Sequence, residues 1–292
     1  MTQFLDCRLN PVGGELSTMV AVNQGAGIAD YTGLALSDLL SAVQGQHVLI
    51  ATHGFNVNRA DGVASLSNWE SLLQLPAGSA FVGLLWPGDS VWAHGLDYPG
   101  EPRVADQAGT LLGPFIDATF AEAASVSFAS HSLGARVVLE TITNMQLPVR
   151  RVTLMAGAVD DDCLTGEFQT AVAKIEQLSI LASKKDEVLS FCFPAGNFFA
   201  GIIAAGHPWW RGALGHGGPN KPLPSNVLVP FAIPDGWNYQ HSNYLEICPP
   251  PPPAPVLPIP TNVPANGAPY PANQAPGWSA AFTAAFVSTR FR

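Results

Sequence analysis

Five stretches of the chain are almost continuously apolar and rich in β-branched residues: His47–Thr52 (HVLIAT), Ala80–Trp86 (AFVGLLW), Ser125–Ala129 (SVSFA), Val152–Met155 (VTLM) and Leu178–Ala182 (LSILA). Strands buried on both faces read this way, without the apolar–polar alternation of a half-exposed sheet. Between them the apolar positions change to a helical period. Val63, Leu66, Trp69 and Leu73 form one stripe, Val104, Ala108, Leu111 and Phe115 a second, and Phe168, Ala171, Val172 and Ile175 a third. The alternation predicts an α/β fold: a mostly parallel sheet, helices on both faces, joined by right-handed crossovers.

Two segments break the rhythm. From about residue 194 to 236, and most plainly from Asn197 to Asn226, a Gly/Pro/aromatic mixture fits neither period. It reads as an insertion over the sheet's C-terminal edge, either a lid or rim for a ligand or a second small core. From Pro249 to Pro276 lie 12 of the 26 prolines, which excludes a regular helix or central strand. Beyond Gly277, Trp278, Phe282 and Phe286 recur at helical spacing, predicting a short terminal helix docked by one aromatic face. The reading divides the chain into a catalytic domain, 1–248, and a Pro-rich tail, 249–292.

Composition narrows the classes. With 292 residues, 47% apolar and 12% charged, the chain supports a large core and is far from the signature of disorder. Thirteen Lys+Arg against 22 Asp+Glu give a net charge of −9, which argues against nucleic acid as a partner. The longest strongly apolar run, Phe198 to Gly206, is too short for a bilayer, and Met1–Asn10 has neither the basic nor the apolar part of a secretory signal. A cytoplasmic chain without a membrane span is the expectation. Cys7, Cys163, Cys192 and Cys248 show no zinc spacing and read as buried thiols, with a Cys192–Cys248 disulfide left open.

The chemistry concentrates in Ser125–Glu140 (SVSFASHSLGARVVLE), an apolar strand running through Ser130-His131-Ser132-Leu133-Gly134 into a helix-compatible run. A serine on a strained strand-to-helix elbow needs small residues two positions before and two after, and Ser130 and Gly134 supply them. Ser132 is therefore the candidate nucleophile, and the Leu133 amide at the helix start a candidate oxyanion donor. The bland alternative is an ordinary serine in a turn. A second loop, His53-Gly54-Phe55-Asn56, follows the strand HVLIAT; its glycine allows close backbone approach, and the Phe55 amide is the second candidate donor. For the side chains of His53 and Asn56, pinning the loop is the favoured role.

The HGFN loop, the Trp86-Pro87-Gly88-Asp89 turn and the SHSLGARVV elbow, in this order, resemble the α/β-hydrolase superfamily, and within it a group of poorly characterised bacterial serine hydrolases. The resemblance spans about residues 45 to 245. It implies the α/β-hydrolase fold and a chain order of nucleophile, acid, histidine. Asp186, in the segment after LSILA, matches the acid position, with Asp160, Asp161 and Asp162 after VTLMAGAV, and Glu187, as rivals. His241, after the insertion, matches the base.

The implied activity is hydrolysis of carboxylic esters through an acyl-enzyme, with no metal or organic cofactor. Trp86, Trp209 and Trp210, with Trp92, Phe198 and Phe199, suggest an aromatic rim that binds a small-molecule or polymeric ester with an apolar or aromatic group. An acyltransferase, thioesterase, lactonase or amidase on the same triad, or a non-catalytic scaffold with a Pro-rich interaction tail, are the alternatives.

Overall fold

The structure, a computed structural model of the chain, describes residues 1–89, 101–192, 212–245 and 275–288. Its strands are β1 (Thr2–Arg8), β2 (Leu16–Gly25), β3 (Thr32–Gly33), β4 (His47–Thr52), β5 (Ser79–Leu85), β6 (Ser125–His131), β7 (Val149–Met155), β8 (Ile175–Ala182) and β9 (Phe231–Ala232). They form one sheet in the order β3-β2-β1-β5-β4-β6-β7-β8-β9. From β1 to β9 every neighbouring pair is parallel, and β2 runs antiparallel to both β1 and β3. The helices are α1 (Leu36–Val43), α2 (Arg59–Leu72), α3 (Glu101–Thr119), α4 (Gly134–Asn144) and α5 (Gln169–Ala173), with a single turn at Leu214–Gly217 and a C-terminal helix at Ala275–Ser288. This is the α/β-hydrolase architecture, a mostly parallel sheet between helical layers.

Central strands explain the apolar runs. Val48 to Ala51 in β4 and Phe128 and Ala129 in β6 are at most 1% exposed because helices cover both sheet faces. Helix α2 starts where Asn58 accepts the Asp61 amide at 2.9 Å, and it buries Val63, Leu66 and Trp69. The third predicted stripe is shorter than its spacing suggested: α5 stops at Ala173, and Ile175 already opens β8.

Strands β1 and β2 carry no readable apolar pattern. β1 buries Asp6 and Arg8, whose charges are met inside the fold: Asp6 by Arg59 Nε at 2.7 Å and the Tyr31 hydroxyl at 3.0 Å, Arg8 by Asp89. The described part of the expected insertion, 212–236, packs against the rest of the domain. Ala213 and Leu214 are buried in the core, and Phe231–Ala232 pairs with Leu181–Ala182 as the sheet's last strand, so this part completes the domain edge. Residues 194–211 of that segment lie outside the described residues.

The C-terminal helix begins at Ala275, with Pro276 in its first turn, where a missing N–H costs nothing. Trp278 is 1% exposed and sits among Phe231, Trp237, Tyr239 and Phe282, with ring centroids 5.4–5.7 Å away. Trp69 of α2 donates its indole N–H to Ser279 Oγ at 3.0 Å, so the helix is built into the core. Most of the Pro-rich stretch, 249–274, lies outside the described residues. Cys7 and Cys163 are free, buried thiols; burial raises both above the ordinary thiol range. Cys248 and the Cys192 side chain lie outside the described residues. No helix among the described residues is long and apolar enough to cross a membrane.

Candidate active site

Because β4, β6 and β8 are parallel, their C-terminal ends open onto the same sheet edge, the place where open α/β sheets gather ligands. β6 leads directly into Ser132, whose φ of +55° lies in the left-handed region that non-glycine residues seldom adopt. The elbow is held there by its backbone: Ser132 N donates to Met155 O at 3.0 Å, and Ser132 O accepts from Ala135 N at 3.0 Å and Ala158 N at 3.1 Å. Local strain of order 1–2 kcal/mol is thus offset by main-chain bonds to β7 and α4.

His241 Nε2 lies 2.8 Å from Ser132 Oγ, and His241 Nδ1 lies 2.7 Å from Asp186 Oδ2. A carboxylate only accepts, so Nδ1 carries the proton and Nε2 is left to accept from the serine hydroxyl. Asp186 is fully buried in the loop after β8, and its Oδ1 accepts the Leu189 amide at 2.9 Å, which fixes the plane of the carboxyl. One of the rival acids has a different task. Asp161 accepts from Gly212 N and Asn220 Nδ2, tying down the segment after residue 211, and His241 takes its carboxylate partner from Asp186. Ser130 is wholly buried within β6, facing away from solvent.

The second loop meets the elbow edge to edge. A Cβ added at Gly54 would stand 2.6 Å from Ser132 Cβ and 3.2 Å from its Oγ, so only glycine lets this backbone lie against the serine. Gly134, the first residue of α4, is packed as tightly, its imagined Cβ 2.4 Å from His53 O. Phe55 follows Gly54, and Leu133 follows Ser132, so the two amides singled out from the sequence adjoin the contact between the loops. Asn56 N donates to Gly88 O at 2.6 Å, which links the HGFN loop to the WPGD turn.

His53 and Trp86 are scaffold. The His53 ring is 1% exposed, donates from Nδ1 to Gly54 O at 2.9 Å, and stacks on Trp86 at 5.9 Å; burial lowers it to about 3, so it is neutral. Trp86, expected at a substrate rim, is instead wholly buried and donates its indole N–H to His53 O at 3.0 Å. Buried and bonded in this way, the side chain supports the loop and is not part of an exposed rim. Trp209 and Trp210, with Trp92, Phe198 and Phe199, lie outside the described residues.

Arg8 is a supporting residue that no motif in the sequence marks. Its fully buried guanidinium donates to Trp86 O at 2.8 Å and Val57 O at 3.0 Å and pairs with Asp89, whose other oxygen accepts Gly13 N. One charged group from β1 therefore grips both the WPGD turn and the end of the HGFN loop. No local signal marks it: Arg8 and Asp89 are 81 residues apart, and only the fold brings them together.

A family model described as an alpha/beta hydrolase of unknown function (DUF900) matches residues 30–194, more than half of the chain. Among solved structures the chain is similar to esterase PE8 at 13% identity, over 50% of this chain and 73% of that one, with a TM-score of 0.34. It is similar to carboxyl esterase 2 from the mycorrhizal fungus Tuber melanosporum at 11% identity, over 69% and 77% of the two chains, with a TM-score of 0.31. A Pyrobaculum calidifontis esterase matches at 10% identity over 74% of each chain, TM-score 0.32. No curated protein matches the chain.

Proposed function

Since the chain belongs to the DUF900 family of α/β hydrolases, we propose that it is a serine hydrolase that cleaves carboxylic esters through an acyl-enzyme, with Ser132 as nucleophile, His241 as base and Asp186 as acid. The observation that carries this reading is the continuous hydrogen-bonded chain that starts at Ser132 Oγ, on a residue at φ +55°, and runs through His241 to the buried Asp186 carboxyl.

His241 Nε2 takes the hydroxyl proton as Ser132 Oγ attacks the ester carbonyl, and the carbonyl π electrons move onto oxygen. The Phe55 and Leu133 amides stabilise that oxyanion, the Leu133 amide with the added field of the α4 N-terminus. Collapse breaks the C–O bond to the alcohol, which leaves with the proton from His241. A water then gives its proton to His241 and attacks the acyl-enzyme, releasing the acid and restoring the serine. Asp186 keeps the imidazole in the required tautomer and stabilises the imidazolium between steps. An ester suits this machinery because an alkoxide leaving group needs less proton delivery than an amine.

Hydrolysis of short and medium acyl nitrophenyl esters by wild type and by Ser132→Ala, both checked for folding, tests the reading. A loss in kcat on the order of 10⁴ to 10⁶ is expected. An alanine variant within tenfold of wild type removes Ser132 from the mechanism. Thioesters, lactones and amides in the same panel decide among acyl donors.

A further inference from the structure

We propose that His131, the residue immediately before the nucleophile, is a positioning residue for the base: its ring N–H latches the main-chain carbonyl of His241, and its ring lies against the His241 imidazole. The inference rests on the serine-hydrolase reading above and assigns a task to a histidine that reading does not use.

His131 Nε2 is 2.8 Å from His241 O, and since a carbonyl only accepts, the ring is fixed as the Nε2–H tautomer. The two imidazole centroids are 4.7 Å apart, and the Tyr244 ring centroid is 5.9 Å from that of His131. His131 is 8% exposed, and burial, together with the neighbouring His241 and His53, pushes it well below the ordinary histidine range. A neutral ring adds no like charge beside the imidazolium that forms on His241 during turnover.

The latch answers a need of the loop. His241 stands in a three-residue turn, His241–Asn243, three residues after Asn238 at φ +49°. The Tyr239 carbonyl is held by Ser183 Oγ at 2.6 Å and the Gln240 side chain accepts the Glu187 amide, both from the acid side of the site. Among the described residues, the hydrogen bond that reaches the main chain of His241 itself comes from His131, at the end of the nucleophile's own strand. Base and nucleophile are thereby referenced to the same strand, which is what a 2.8 Å contact between groups 109 residues apart requires.

Three variants separate a latch from mere packing. His131→Gln keeps a neutral N–H at the reach of imidazole Nε2; His131→Phe keeps the ring but has no donor; His131→Asn has a donor too short to reach. Expected are kcat within about fivefold of wild type for Gln, and falls of about 10²-fold for Phe and Asn with KM within threefold, the cost of an ångström-scale misplacement. The second readout is NMR of the His241 Nδ1 proton bonded to Asp186, expected to stay sharp in wild type and Gln and to broaden or move upfield in Phe and Asn. Phe or Asn within threefold of wild type with an unchanged resonance, or Gln as impaired as Phe, overturns the proposal. If wild type neither hydrolyses esters nor reacts with a serine-directed phosphonate, the proposed function fails, and the resonance comparison still decides whether His131 holds His241.

Discussion

Replacing Gly54 by alanine perturbs the site by one methyl group at a known place. The added Cβ would stand 2.6 Å from Ser132 Cβ and 3.3 Å from His131 O, whereas carbon atoms in contact settle at about 3.5 to 4.0 Å. One side must retreat by about 1 Å. The elbow resists, because Ser132 is held by main-chain bonds of 3.0 to 3.1 Å to Met155, Ala135 and Ala158. The HGFN loop yields instead, and Phe55, the next residue, carries the proposed donor away from the developing oxyanion. A misplacement of about 1 Å costs on the order of 10²-fold, and loss of one oxyanion donor about 10² to 10³-fold, so kcat should fall by about 10² to 10³.

The assay is steady-state hydrolysis of a nitrophenyl ester, with thermal unfolding alongside to register the strain of overpacking, about 1–3 kcal/mol. Gly157→Ala is the matched control: its added Cβ would find Ala135 Cβ at 3.5 Å and Val159 Cγ2 at 3.7 Å, ordinary contacts, so kcat should stay within about threefold. A Gly54→Ala enzyme within threefold of wild type refutes the reasoning, as does an equal loss in the control.

Two further expectations concern stability. Trp278→Ala removes a ring packed among Phe231, Trp237, Tyr239 and Phe282, and should cost about 3–5 kcal/mol in denaturant unfolding; a loss under about 1 kcal/mol means the C-terminal helix is only loosely docked. His53 and His131 are both held neutral by burial, His53 down to about 3, while in the unfolded chain they titrate near 6.5. The unfolded state therefore binds protons the native state refuses, and stability present above pH 6.5 should be lost as pH falls, by up to about 1.4 kcal/mol per pH unit for each histidine. Urea midpoints at pH 7.5, 6.5, 5.5 and 5.0 read this directly, and a flat series contradicts it.

What the sequence disclosed follows from how each element is buried. β4 to β8 are covered on both faces, so an apolar run was enough to find them, and β4 was read with its observed ends. β1 was missed because Asp6 and Arg8 interrupt its pattern, and they are tolerated inside only because Arg59, Tyr31 and Asp89 meet them from segments far along the chain. β2 is mostly half-buried and its small and polar residues leave no clear apolar run, and β9 is two residues long, defined by pairing alone. Ser132 was legible because an elbow is a local event of strand, small residues and helix. The acid was not legible from local pattern: Asp160–Asp162 and Asp186 follow adjacent strands β7 and β8, and only the distance to His241 separates them.

The family match ends at residue 194, so it includes Ser132 and Asp186 but neither Arg8 nor His241. The site is nevertheless one connected object, and the connections run through those outer segments. Arg8 fixes the WPGD turn, whose Gly88 carbonyl holds the HGFN loop, which in turn lies against Ser132. On the other side the C-terminal helix holds the loop that carries His241: Tyr239 donates to Ala275 O, Ser279 Oγ donates to Tyr244 O at 2.7 Å, and Trp278 packs on Trp237 and Tyr239. His241 is thus bracketed between a strand, through His131, and a helix whose sequence contains no charged residue and no catalytic motif. That helix is needed because a three-residue turn cannot keep an imidazole within 2.8 Å of a hydroxyl by its own bonds, and packing an aromatic helix beneath it supplies the missing rigidity. The part of the chain with the least visible chemistry is what would let the proposed base act.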